Sequence, residues 1–103
     1  MNKLRIIPKL EVKNSNLIKG LQYEGLRKVG DPVEYASKYY EAGADQINII
    51  DIVSSLYSRE NLYEIVDKIT ENIFIPICVG GGIKSIDHIV KLLNCGADRI
   101  IIN

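Results

Sequence analysis

The stretch FIPICVGGGIKSIDHIVKLLNCGADRIII, residues 74–102, decides the fold class. Phe74 to Val79 is an unbroken apolar run, the pattern of a strand covered on both faces. Gly80-Gly81-Gly82 closes it. Ser85 then reads as an N-cap, and Ile86, Ile89, Val90 and Leu93 recur at helical spacing on one face. Gly96 stops that helix, and Arg99 to Ile102 is β-rich again. Strand, glycine turn, helix and strand in this order form a βαβ unit, whose crossover is right-handed and whose strands run parallel.

The same alternation extends upstream. Arg5 to Val12 is a short β-rich run. Asp31-Pro32-Val33-Glu34 combines an N-cap, a proline at the first helical position and a capping-box glutamate. Val33, Ala36, Ser37 and Tyr40 follow on one face, and Gly43 ends the helix. Gln46 to Ile50 is a second strand ending in Asp51. A second helix begins near Ser58, with Leu62, Ile65, Val66 and Ile69 on one stripe. The expected order is β-α-β-α-β-α-β: an α/β chain of four parallel strands with three helices, (βα)3β, in a single domain over residues 1–103. Gly43-Ala44-Asp45 and Gly96-Ala97-Asp98 each join a helix to the next strand, an internal echo. Lys13 to Gly30 is the longest stretch without such a signal and is expected to be an irregular, functional loop.

Composition narrows the function classes. The 103 residues are 47% hydrophobic and 25% charged, which excludes disordered, collagen-like and disulfide-scaffold chains. Thirteen basic residues balance thirteen acidic ones, so no electrostatic footprint for nucleic acid or an anionic membrane is expected. Eighteen isoleucines and seven valines suit a buried parallel sheet. Cys78 and Cys95 form no Cys-x-x-Cys pair, and residues 1–10 hold no signal-peptide core, so a reducing cytoplasm is expected. No apolar run reaches the ~18 residues of a membrane span.

In parallel α/β sheets ligands sit at the carboxyl ends of the strands. Those ends carry Glu11, Asp51, Gly80-Gly81-Gly82 and Asn103, which the pattern brings to one rim. Glycines let backbone amides approach an oxyanion, and the helix that follows adds its dipole. The glycine run is thus a candidate phosphate cradle, or else a tight turn that needs positive φ. Glu11 and Asp51 are candidate general acid–base groups, or else solvated carboxylates at strand ends. Lys19 in the long excursion could reach a phosphate. His88 has no second ligand near it in sequence, so no metal site is expected. Tyr35, Tyr39 and Tyr40 share a helix and read as packing and interface residues.

Arg5-Ile6-Ile7-Pro8, Val12-Lys13, Lys19-Gly20, Gly30-Asp31-Pro32, Gly43-Ala44-Asp45, Asp51, Ile75-Pro76, Val79-Gly80-Gly81-Gly82-Ile83, Gly96-Ala97-Asp98 and Asn103 occur in one collinear order. That order resembles the cyclase subunits of imidazole glycerol phosphate synthase, of histidine biosynthesis. The resemblance implies half of a phosphate-binding TIM (βα)8 barrel, no cofactor, and a phosphorylated ribulosyl-formimino nucleotide as substrate. It also implies ammonia supplied by a glutaminase partner. It puts the first catalytic aspartate of the family on Glu11, the loop lysine on Lys19, and a phosphate site at the turn around Gly82 with Asn103. A barrel of this type takes ~250 residues, so the second catalytic aspartate and second phosphate site are expected beyond residue 103. Glu11 stands for aspartate and Lys9 for the usual cysteine, changes similar to those in sugar-amidation paralogues. At the opposite mouth Arg5 is kept, while Gln46 replaces a glutamate and Arg99 a lysine.

Four strands leave the first and fourth as edges, and edges such as Ile100 to Ile102 invite association. A homo-oligomer, most simply a dimer that rebuilds a barrel-like core, is the expected form. Two functional classes follow. One is a phosphate-binding half-barrel with little catalysis of its own. The other is an active cyclase or amidation enzyme assembled from two halves.

Overall fold

The computed structural model describes residues 4–13, 16–21, 25–52, 56–83 and 85–102, with backbone alone for 16–21, 25–29 and 56–58. Its elements are β1 (Lys9–Lys13), β2 (Asn16–Leu21), β3 (Gly25–Gly30), α1 (Pro32–Glu41), β4 (Ile47–Asp51), α2 (Leu56–Asn72), β5 (Ile77–Gly80), α3 (Ile86–Asn94) and β6 (Arg99–Ile101). They form one sheet of order β3-β2-β1-β4-β5-β6. β1, β4, β5 and β6 are parallel neighbours, so the four parallel strands with three helices are present as the alternating pattern predicts.

The excursion after β1 differs from the expected irregular loop. Asn16–Leu21 and Gly25–Gly30 pair antiparallel with each other, and Leu17 and Asn16 pair with Val12 and Lys13. The segment reads poorly as strand because glycines at 20, 25 and 30 and lysines at 19 and 28 dilute its apolar alternation. Cross-strand backbone pairing makes the hairpin regardless. It takes only the end of β1, since Lys9, Leu10 and Glu11 have no partner in β2.

The core lies between the sheet and the helices. Leu10, Val12, Ile47, Ile49, Ile77 and Val79 face Ala36, Leu62, Val66, Ile69 and Leu92 there. α1 starts as its sequence dictates: the Asp31 carboxylate accepts the Val33 amide at 3.0 Å, with Pro32 in the first turn. The Gly-Ala-Asp echo proves to be one device used twice. Asp45 accepts the Ile6 amide at 2.7 Å and returns its own N–H to the Ile6 carbonyl at 2.9 Å. Asp98 does the same with Ile77, both bonds being 2.8 Å. Gly43 and Gly96, at φ 97° and 111°, make the reversals that bring each aspartate to the foot of a strand.

α3 departs from its apolar pattern. Its buried side chains are His88 and Leu92, whereas Ile86 is 78% exposed and Val90 and Leu93 are nearly half exposed. The stripe Ile86, Ile89, Val90 and Leu93 therefore turns largely outward. His88 takes the buried place instead, bonded to Tyr63 and, through its amide, to the Ser85 cap, contacts that periodicity does not reveal.

Candidate functional site

Strand alternation sorts the site residues onto two faces of the sheet. Leu10 and Val12, buried, point to the helices, so Lys9 and Glu11 point to the opposite, open face. Glu11 pairs in register with Ile50, Ile50 with Gly80, and Gly80 with Ile101, forming a single cross-sheet row. Neighbouring strands lie about 4.8 Å apart, so Glu11 and Gly80 sit about 10 Å from each other. The Lys9 ammonium lies 3.2 Å from Glu11 Oε1, an ion pair open to solvent.

Asp51 is not on that face. It shares a row with Val12, on the helix side, and is 4% exposed. The rim thus brings Glu11 and Gly80 together on one face and sends Asp51 to the other. Asp51 meets the site through its backbone: a Cβ at Gly81 would collide with the Asp51 carbonyl oxygen. Gly81 and Gly82 have φ of 95° and 57°, both in the left-handed region. Gly80 is equally constrained, because a Cβ there would come within 2.9 Å of Ile101 Cβ. The three glycines are demanded by close approach at two positions and by backbone direction at two. The turn ends three residues before the Ser85 cap of α3, so its amides and the first turn of α3 open toward the same rim. The Lys19 side chain and Asn103 lie outside the described residues.

The turn is backed by polar groups that sequence reasoning passed over. His88 is 3% exposed, its amide donates to Ser85 Oγ at 3.2 Å, and its Nδ1 lies 2.5 Å from the Tyr63 hydroxyl. Burial, with Arg59 and Lys91 adding to it against the opposing pull of Asp51, holds the imidazole below its usual range. Burial and then Glu60 push the Tyr63 phenol up, so Tyr63 keeps its proton and donates to Nδ1. The signal available in sequence was a lone histidine at the third position of a helix, too weak to separate a buried pair from a surface residue.

At the opposite end of the strands Arg5, Gln46 and Arg99 line one cleft of about 340 Å³, with Ile7, Asp45 and Pro76. Gln46 Nε2 donates to Asn48 Oδ1 at 2.7 Å. Tyr35 and Tyr40 pack on the core, while Tyr39 is exposed. Among the described residues no helix is long and apolar enough to cross a membrane, and no group of three or more histidine, cysteine or acidic side chains is placed to hold a metal.

The profile of the family described as histidine biosynthesis protein matches residues 5–103. The chain is 55% identical over all 103 residues to the imidazole glycerol phosphate synthase subunit HisF of Legionella pneumophila, covering 49% of that relative. It is 44% identical over 99 residues to the subunit of the same name from Dehalococcoides mccartyi, 96% of this chain and 39% of the relative. The HisF subunit of Pseudarthrobacter chlorophenolicus is similarly 44% identical over 100 residues, 97% of this chain and 39% of the relative. The chain therefore spans half or less of the length of these relatives.

Proposed function

The chain belongs to the histidine biosynthesis protein family, and from that premise we propose that it is a phosphate-binding half of a (βα)8 barrel of the cyclase type. In this reading it takes a phosphorylated small molecule and has little turnover alone. The observation that carries the proposal is the Gly80–Gly82 turn, with two positive φ angles, in the same cross-sheet row as Glu11. The phosphate rests on the amides of Gly81 and Gly82, and Lys19 and Asn103 complete its surroundings. Roughly 10 Å away, ammonia condenses with the substrate ketone with loss of water, and ring closure at the formimino carbon expels the aminoimidazole carboxamide nucleotide. A carboxylate at Glu11 carries the proton from the attacking nitrogen to the leaving one. Such acid–base chemistry uses no cofactor. A glutaminase partner would supply the ammonia, as the resemblance implies. Only one carboxylate of the site, Glu11, faces the open side of the sheet, so efficient catalysis requires the second aspartate that the resemblance puts outside these residues.

Glu11 in place of aspartate and Lys9 in place of cysteine, changes that resemble those of sugar-amidation paralogues, favour a second reading, an amidation enzyme acting on another substrate and assembled from two halves. Association belongs to both. Among the described residues β6 is paired on one side only, and Ile86, Val90 and Leu93 of α3 are exposed. A second copy of this chain is the proposed occupant of that surface.

Titration with inorganic phosphate, followed by amide NMR, tests the first reading. Saturable shifts at the Gly81 and Gly82 amides support it, and shifts confined to the Arg5–Arg99 cleft overturn it. Incubating the chain with ammonium and the ribulosyl-formimino nucleotide then separates the classes: absence of turnover fits the half-barrel, and sustained turnover the assembled enzyme.

A further inference from the structure

We propose that Tyr63 and His88 are a positioning pair that sets the N-terminal turn of α3 against the glycine turn, and so tunes its grip on an anion. The inference rests on the phosphate reading above and adds residues that this reading does not use.

Only His88 and Leu92 are buried along α3, while Ile86, Val90 and Leu93 are exposed. At its far end the Cys95 carbonyl accepts from Thr70 Oγ1 of α2 at 2.9 Å, which ties down the C-cap and leaves the first turn to other contacts. Apolar contacts are non-directional and let a helix slide or roll, whereas a hydrogen bond fixes distance and angle. The Tyr63 hydroxyl to His88 Nδ1 bond, with the rings edge to face at 5.3 Å, therefore supplies the directional link from α2 to the first turn of α3. The same residue is tied to the cap, since its amide donates to Ser85 Oγ. On the other side of the cap Gly81 is wedged against the backbone of Asp51. The glycine turn thus lies in the chain between its contact with β4 and the α3 cap, and the polar pair sets the first turn of α3.

A polar pair in this place also costs desolvation that a leucine–phenylalanine contact would avoid. The groups facing the imidazole are Tyr63 and Arg59 from α2, Lys91 from α3 and Asp51 from β4. Burial first, and then the two cations Arg59 and Lys91, keep the ring neutral and Nδ1 able to accept. The arrangement suits a fixed acceptor rather than a metal ligand or a proton carrier.

The test uses the full chain, with inorganic phosphate as the probe, and four variants. Tyr63→Phe and His88→Leu each remove the bond and are expected to weaken phosphate binding about tenfold. His88→Asn keeps an acceptor near the Nδ1 position and is expected to restore affinity to within about twofold. Leu92→Ala, which disturbs the other buried side chain of α3, is expected to lower stability without a comparable loss of affinity. Equal losses in Leu92→Ala and Tyr63→Phe, or no rescue by His88→Asn, would overturn the proposal. Hydrogen exchange gives a readout that needs no ligand. In Tyr63→Phe the Gly81, Gly82 and Ile86–His88 amides should exchange faster, while those of Leu92–Asn94 stay unchanged, and His88→Asn should reverse the effect. Uniform acceleration along α3 overturns the positioning role. If the wild-type chain binds no phosphate, the functional reading fails, and the exchange pattern still decides the positioning role.

Discussion

Gly81 and Gly43 show how much a single position depends on its surroundings. Both have strongly positive φ, yet a Cβ at Gly43 would meet nothing within 4 Å, while one at Gly81 would collide with Asp51. Gly43→Ala should therefore cost only the backbone strain, about 1–2 kcal/mol. Gly81→Ala should cost about 4 kcal/mol or more, because a fixed main-chain oxygen has to move. Urea midpoints of the two variants test this order, and equal losses would mean that the turn is looser than described. A second residue-scale expectation concerns His88. Its folded imidazole binds a proton more weakly than the unfolded one. The stability tied to the neutral ring is complete above about pH 6.5 and declines as pH falls through the lowered folded value. His88→Asn should remove that component, so wild-type and variant urea midpoints should draw together between neutral and mildly acidic pH. Parallel curves would show that His88 does not titrate as a buried neutral base.

The Gly-Ala-Asp echo belongs to the scale of elements. A repeated tripeptide was visible in the chain, but its work was not: each aspartate closes a two-bond clasp onto the foot of a strand. The clasp of Asp98 is part-buried and that of Asp45 exposed, so Asp98→Ala should destabilise by about 1–3 kcal/mol and Asp45→Ala by less. Thermal unfolding of both variants checks the order. α1 and the parallel strands were legible because capping residues and isoleucine-rich runs are local signals. The strand ends shifted: β1 begins at Lys9 rather than Arg5, and β5 at Ile77 rather than Phe74. Residues 5–8 and 74–76 share the β-type composition, but Pro8 and Pro76 only accept, from the Asn48 and Ile47 amides, and have no N–H to continue a ladder, so regular pairing starts after them.

For the whole molecule the open question is what covers β6 and α3. Ile86→Lys sits on an exposed position and should change monomer stability by no more than about 0.5 kcal/mol. If a second copy docks there, the same change should lower the solution mass to that of a monomer in light scattering. An unchanged dimer would move the interface elsewhere, and a wild-type monomer would remove the self-association proposal. The hairpin matters to this question. Among the described residues it pairs with β1 only at Val12 and Lys13, and Lys9–Glu11 have no partner in it.

The amino-acid sequence by itself determined the α/β alternation, the four parallel strands, the caps of α1 and α3, the glycine turn and the family. All of these are written in neighbouring residues or in short motifs that survive without knowledge of contacts. Tertiary structure alone decided that Asn16–Leu21 and Gly25–Gly30 pair antiparallel and that Glu11 and Asp51 face opposite sides of the sheet. It also decided that α3 buries His88 in place of its isoleucines. The physical reason is common to the three. Strand register, the face a strand end presents and the roll of a short helix are set by partners distant in sequence. Their energies of about 1 kcal/mol per contact outweigh local preferences of similar or smaller size.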